Sequence, residues 1–352
     1  MTFKLPALTL SKPLLAWLRE DPHWPRLDWR LRAALAWRAH WGSVNARLSE
    51  AQARPAASTQ DLAPLLILGP WRSGTTVMHE LLTAATAWPT PLTWQCMDAC
   101  AFRLGHPPRS GVRIARPMDG LTVDALSPQE DEFALLTLGQ PSAYRAFWQP
   151  QRILELLPTL EQEFWLEHGE WLAPWESFLR AVQASAPSAG GLILKSPNHS
   201  FRLQAILRRF PAAKVVWMLR DPADVFQSNL KMWRTMFREH GLGPSQDEAL
   251  EQFLVAALQA SAASLRWALA ELPAGQLVCC SQEQLRQAPA EHVERILDAL
   301  GLRDQADGVA LRSAIKRTQV GRTEVYSEPL PAAARAAVEA LRAAQAEAQP
   351  AS

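Results

Sequence analysis

The sequence predicts an α/β fold with a central parallel sheet flanked by helices and carrying a largely helical insertion. Three observations predict it. Short apolar runs recur at residues 65–68, 192–194, 215–219 and 277–280, the length of buried strands. Helical patterns follow the first three runs, over 75–87, 201–210 and 223–236, and a long one over 248–272 precedes the fourth. The first run ends in Gly69-Pro70 and a Gly-rich loop, the punctuation of a strand-to-helix turn. Strands alternating with helices argue for a parallel sheet covered on both faces.

Taken in order, residues 1–60 stand apart. They carry nine Lys/Arg against four Asp/Glu and hold Trp17, Trp24, Trp29, Trp37 and Trp41 among Leu and Arg at helical spacing. One or two amphipathic helices packed on the main domain are expected, with a lid or a membrane-surface face as the alternative. Residues 51–63 read as a connector. The main domain runs over 61–330, interrupted by a Trp- and Pro-rich insertion over 89–189 that is placed on the acceptor side. Residues 331–352 read as an Ala/Glu/Arg helix and a short tail.

Composition excludes several classes. With 36 Lys+Arg against 35 Asp+Glu in 352 residues, the chain lacks the basic surplus of a dedicated nucleic-acid binder. At 48% hydrophobic it is too apolar for a disordered chain. No run of 18 apolar residues predicts a transmembrane span, and residues 1–18 lack the apolar stretch of a signal peptide. Cys96, Cys100, Cys279 and Cys280 match neither zinc nor redox spacing, which predicts buried thiols, a cytoplasmic setting and no metal. The 15 Trp lie mostly in the start and the insertion, a placement that suits an acceptor cavity.

The loop Gly69-Pro70-Trp71-Arg72-Ser73-Gly74-Thr75-Thr76 aims backbone N–H groups and a helix N-terminus at one spot. Its G-x-x-x-x-G spacing is that of a Walker A loop, but Thr75 stands where the triphosphate-binding Lys belongs. Such a loop still cradles a single 5′-phosphate, with charge from Arg72 and hydroxyls from Ser73, Thr75 and Thr76.

The string Arg72-Ser73-Gly74-Thr75-Thr76 after an apolar strand resembles the 5′-phosphosulfate loop of sulfotransferases, which use 3′-phosphoadenosine 5′-phosphosulfate (PAPS) as donor. The resemblance implies a second site for the 3′-phosphate. Arg220 at the end of the third run and Ser228 eight residues later show its spacing, with the N-terminus of the next helix expected behind both. Leu194-Lys195-Ser196-Pro197-Asn198-His199 is similar to a string of bacterial-type sulfotransferases. Gly321-Arg322 with Tyr326-Ser327 resembles the basic segment that closes over the 3′-phosphate and adenine. The resemblance covers roughly residues 65–329 and implies sulfuryl transfer to a hydroxyl of a small, fairly apolar acceptor. A kinase-like nucleotide enzyme and a silent nucleotide-binding module at a membrane are the competing classes.

Arg72 and Lys195 are the cations expected to stabilise the bridging oxygen and the sulfuryl group, since positioning and charge dominate such transfers. Candidates for the base are His199, whose imidazole titrates near neutrality, and the carboxylates Glu130 and Glu132. Ser127-Pro128-Gln129-Glu130 matches a capping box with Pro at the first helical position, so Glu130 is expected to close a helix there. Two departures from the family stand out. Trp71 replaces a usual Pro, and Thr93-Trp94-Gln95, expected on a strand, has an amide where many relatives have an acid.

Overall fold

A computed structural model describes residues 10–52, 62–105, 108, 113–116, 122–185, 190–318, 326 and 329–348. Two helices come first, α1 (Lys12–Arg19) and α2 (Trp29–Gln52). Strand β1 (Pro64–Leu68) leads through the Gly-rich loop into α3 (Thr75–Thr86). The insertion holds α4 (Thr93–Met97), a two-residue antiparallel hairpin of β2 (Ile114–Ala115) and β3 (Thr122–Val123), α5 (Glu132–Thr137), α6 (Gln162–Glu167) and α7 (Leu172–Gln183). Then come β4 (Leu192–Lys195), α8 (Leu203–Arg209), β5 (Lys214–Leu219), α9 (Pro222–His240), α10 (Asp247–Glu271) and β6 (Leu277–Ser281). The helices α11 (Gln282–Gln287), α12 (Pro289–Ala299), α13 (Gly308–Arg317) and α14 (Ala332–Glu347) complete the chain.

Among the described residues the main sheet has four strands in the order β4-β1-β5-β6, every pairing parallel. Side chains alternate between its faces as the two-residue period demands. Leu65, Ile67, Val216 and Met218 join Met78, Leu82, Val293, Ile296 and Leu311 under α3, α12 and α13. Leu66, Leu68, Val215, Trp217 and Leu219 face the larger core shared with α9, α10, α14 and the insertion. The chain leaves β1 for β4 on one side and returns to β5 on the other. The carboxyl ends of β1 and β5 therefore flank a crevice, the place where open α/β sheets bind ligands.

Helix α10 is the described helix long and apolar enough to cross a membrane, and half of that stretch is buried inside the protein. Leu250, Phe253, Leu254 and Leu265 on it are core residues.

Three expectations change. Thr93 and Trp94 begin a helix, not a strand, and the Gln95 side chain accepts the Leu92 N–H at 2.9 Å as its cap. The helix expected from Pro128 starts only at Glu132. Ser127 Oγ instead donates to Asp124 Oδ1 at 3.0 Å and accepts the Asp124 N–H, which closes a turn and leaves Glu130 unhelical. Trp148, Trp165, Trp171 and Trp175 of the insertion are buried core residues, so they fill the protein rather than line a cavity. As expected of residues 1–60, two helices pack on the main domain: α1 buries Leu14, Leu15, Trp17 and Leu18, whereas α2 packs by Leu31, Leu35 and Ala39 and leaves Trp29, Trp37 and Trp41 outside.

Candidate active site

The loop from β1 to α3 is fixed at both ends by glycine. Gly69 has φ +129°, and a Cβ there would stand 2.6 Å from the Met218 carbonyl oxygen, so the loop can start this close to β5 only without a side chain. Gly74, at φ +93°, is the N-cap of α3 and contributes no capping side chain. The first N–H groups of α3 thus present their partial positive charge to the crevice. Ser73 is buried, and its hydroxyl donates to the Pro70 carbonyl at 2.8 Å, closing the turn from within. Trp71 is buried against Tyr144, Phe201, Trp233 and Phe253, and its carbonyl accepts from Asn229 Nδ2 at 2.9 Å. Where a Pro would stiffen the loop by its ring, an aromatic anchor pins it.

Arg72 adopts φ +71°, a left-handed conformation that costs a non-glycine residue about 1–3 kcal/mol. The two residues predicted for the second phosphate hold it there. Arg220 Nη1 donates to the Arg72 carbonyl at 2.8 Å, and Arg72 Nε donates to Ser228 Oγ at 3.1 Å. Arg72, Arg220 and Ser228, separated by up to 156 positions, meet at one corner. Arg220 is nearly buried, its Nη2 lies 3.7 Å from Asp224 Oδ2, and among the described residues its Nε has no hydrogen-bond partner. A buried guanidinium with an unused donor fits an anionic ligand at this corner.

The helix N-terminus expected behind Arg220 and Ser228 is already satisfied. Asp221 Oδ1 accepts from the N–H groups of Ala223 and Asp224 at 2.9 and 3.2 Å, so α9 is capped by its own carboxylate. Asp221 also pairs with Arg342 at 3.0 Å, and Gln345 Nε2 donates to the Arg220 carbonyl at 3.0 Å. Helix α14 therefore braces the end of β5. Gly321 and Arg322 lie outside the described residues.

At the end of β4, Lys195 is buried and its Nζ lies 2.6 Å from Glu130 Oε1 and 3.5 Å from Thr76 Oγ1. The contact to Thr76 places the pair beside the first turn of α3. Glu130 Oε2 accepts a hydrogen bond from the Tyr144 hydroxyl at 2.6 Å. Glu130 thus receives two hydrogen bonds and donates none, the pattern of a carboxylate. Burial pushes the Lys195 amine down, and the Arg116 charge adds to this against the pull of Glu130. Burial and the neighbouring Glu130 push the Tyr144 phenol well up, so it remains a donor.

His199 and Glu132 go elsewhere. His199 Nε2 lies 2.7 Å from Asp131 Oδ2, and its Nδ1 accepts from Arg202 Nε at 3.1 Å, so the ring proton sits on Nε2. Asp131 Oδ2 also accepts from Trp175 Nε1 at 2.6 Å. Glu132 pairs with Arg202, whose guanidinium lies 4.4 and 5.1 Å from the ring centroids of Trp165 and Trp171. Every member of this set is sealed from solvent. Both His199 nitrogens are engaged within the protein, and the ring is buried.

The sequence motifs thus converge on the loop, Lys195, Arg220, Ser228 and Glu130. Tyr144 joins the site through Glu130 without a sequence signal, apart from being one of only two tyrosines in the chain. Among the described residues no group of three or more His, Cys, Asp or Glu could hold a metal ion.

A sequence profile described as the Sulfotransferase family matches residues 64–306. The omega-hydroxy-beta-dihydromenaquinone-9 sulfotransferases Stf3 of Mycobacterium bovis and Mycobacterium tuberculosis are 32% identical to this chain over 198 residues, 54% of the chain and 50% of theirs. The chain therefore spans about half the length of the curated relatives it matches. Among solved structures, sulfotransferase STF9 from Mycobacterium avium aligns with a TM-score of 0.60 at 19% identity, over 86% of this chain and 80% of that one. Sulfotransferase STF1 from Mycobacterium tuberculosis H37Rv aligns at 0.57 and 18% identity, over 82% and 78%. These two likenesses bear on the fold.

Proposed function

The chain belongs to the sulfotransferase family, and we propose that it transfers a sulfuryl group from PAPS to a hydroxyl of a small, fairly apolar acceptor. One observation carries the reading. The phosphate loop, the paired Arg72 and Arg220 with Ser228, and the Lys195–Glu130 pair all meet at the carboxyl ends of three adjacent strands. The apolar acceptor is favoured by the Mycobacterium relatives, whose name gives a hydroxylated dihydromenaquinone.

In this scheme the first turn of α3, with Thr75 and Thr76, receives the 5′-phosphate. Arg220 and Ser228 receive the 3′-phosphate, the unused Arg220 Nε supplying a charge-assisted contact. Glu130 takes the proton of the acceptor hydroxyl as its oxygen bonds to sulfur and the bond from sulfur to the 5′-phosphate oxygen breaks. Lys195 balances the charge that gathers on the sulfuryl oxygens and the leaving phosphate. The product nucleotide is 3′,5′-adenosine bisphosphate. Tyr144 orients Glu130 from behind, and Trp71 keeps the loop in register with Tyr144.

Calorimetric titration with 3′,5′-adenosine bisphosphate tests the donor assignment. Binding is expected, and Arg220→Ala should weaken it by about 1.5–3 kcal/mol, the worth of a hydrogen bond to a charged group. A protein that ignores the bisphosphate, or an Arg220→Ala variant that binds it unchanged, overturns the assignment.

A further inference from the structure

Helix α2 carries two apolar faces. Leu31, Leu35 and Ala39, spaced by four, turn inward and are buried. Trp29, Trp37 and Trp41 lie on the other side, 66%, 63% and 45% exposed, and Leu48 extends the row at 49%. At 100° per residue, these four positions fall within about 120° of arc, one continuous stripe. Trp37 and Trp41 meet edge to face at 5.5 Å, so the stripe is ordered along its length. None of its side chains is needed to seal the core. Three large indoles side by side in water are a substantial exposed apolar patch, which marks an interaction surface.

The charges around the stripe select the partner. Arg26, Arg30 and Arg47 are exposed beside it, and the Arg30 guanidinium sits over the Trp29 ring at 5.6 Å. Between residues 26 and 48 the one carboxylate is Asp28, whose Oδ1 accepts the Arg30 N–H at 2.7 Å. A second copy related by a two-fold axis would set cations against cations. Indoles flanked by guanidinium groups suit a surface with an apolar interior and an anionic rim. We propose that the outer face of α2 docks the protein on a bilayer containing anionic lipid, with Trp29, Trp37 and Trp41 entering the headgroup boundary and Arg26, Arg30 and Arg47 meeting lipid phosphates. The helix lies in the plane of the surface, because its inner face stays on the protein. Helix α2 also packs on the 3-10 turn Phe102–Leu104 of the insertion, so docking would bring the insertion next to the lipid. The docking surface stands whatever the acceptor proves to be.

Co-sedimentation of the full chain with vesicles tests it, using phosphatidylcholine alone and phosphatidylcholine mixed with phosphatidylglycerol. The protein should pellet with the mixed vesicles, and added salt should release it. The triple variant Trp29→Ser, Trp37→Ser, Trp41→Ser should lose about tenfold or more of its partition. Its thermal midpoint and its bisphosphate binding should stay near the parent's, since the three indoles are outside the core and the donor site. Arg30→Gln with Arg47→Gln should weaken binding to mixed vesicles alone. Failure of the parent to pellet with either vesicle, or equal pelleting by the triple variant, overturns the proposal. So does a concentration-dependent doubling of mass in sedimentation velocity that the triple variant abolishes in the absence of vesicle binding, which would assign the face to a second copy.

Discussion

Residues 130–132 divide two charged clusters that use the same chemistry under different conditions. On the crevice side, Glu130 holds Lys195 and Tyr144 next to Thr76. On the inner side, Asp131 holds His199 and Trp175, and Glu132 holds Arg202 between two indoles. The inner cluster is fully buried, whereas the Glu130 side chain keeps 13% exposure. That difference separates a carboxylate that can meet a substrate proton from one whose work is to compensate a buried guanidinium. The sealed cluster fixes the backbone on which Glu130 stands, and the open one is the pair to which the proposed mechanism gives the chemistry. Burial, rather than residue type, distinguishes the two clusters.

The contrast is broken most severely by unpairing the sealed side. Glu132→Gln leaves the Arg202 charge buried without its carboxylate, and about 3–5 kcal/mol of stability should be lost, read as a drop in the urea midpoint. A Glu132→Gln protein as stable as the parent but slow in turnover would move the catalytic role inward. Next in size is Glu130→Gln. Turnover should fall by about a hundredfold or more while bisphosphate affinity holds, since the amide keeps the shape and accepts no proton. An equal loss of affinity would make Glu130 a ground-state contact.

His79 tests the ground between the clusters. It is buried on α3, its Nε2 lies 2.5 Å from Thr90 Oγ1, and burial, with the Lys195 charge, pushes its ring from 6.5 down to about 3, Asp131 opposing. The unfolded chain takes up this proton below pH 6.5 and the folded one only near 3. The contribution is therefore complete above pH 6.5 and is lost as the pH falls towards 3. Between pH 7 and pH 5, about 2 kcal/mol should disappear from this group alone. His79→Gln should flatten that part of the acid limb in urea titrations at the two pH values. An unaltered slope would mean that His79 charges in place.

The strands and the donor loop were readable because both are local. An apolar run of five, a Gly pair and an Arg-to-Ser spacing of eight are written in adjacent residues, and their burial follows from sheet geometry. The catalytic side was only half readable. Lys195 announced itself by its string, but the choice among Glu130, Glu132 and His199 depends on which way three consecutive side chains leave a turn. Ser127 misled for the same reason: a capping-box pattern was satisfied by Asp124 in a turn, and tertiary contacts with Lys195 and Tyr144 hold Glu130 instead. Tyr144 lies 14 residues beyond Glu130, and no spacing rule links the two. The tryptophans of the insertion looked like a lining because composition cannot distinguish a packed indole from an open one.

The brace from α14 onto β5 has a consequence in time. Arg342 reaches back 121 positions to Asp221, and Gln345 reaches 125 to the Arg220 carbonyl. A polypeptide emerging from the ribosome would display the loop, Lys195 and Arg220 long before Arg342 and Gln345 exist. Chains fold as they are made, so the crevice would be assembled but unfastened over that interval. Arg220 and Asp221 gain these two contacts only when synthesis has passed Gln345, so the corner proposed for the 3′-phosphate is the part of the crevice fastened latest.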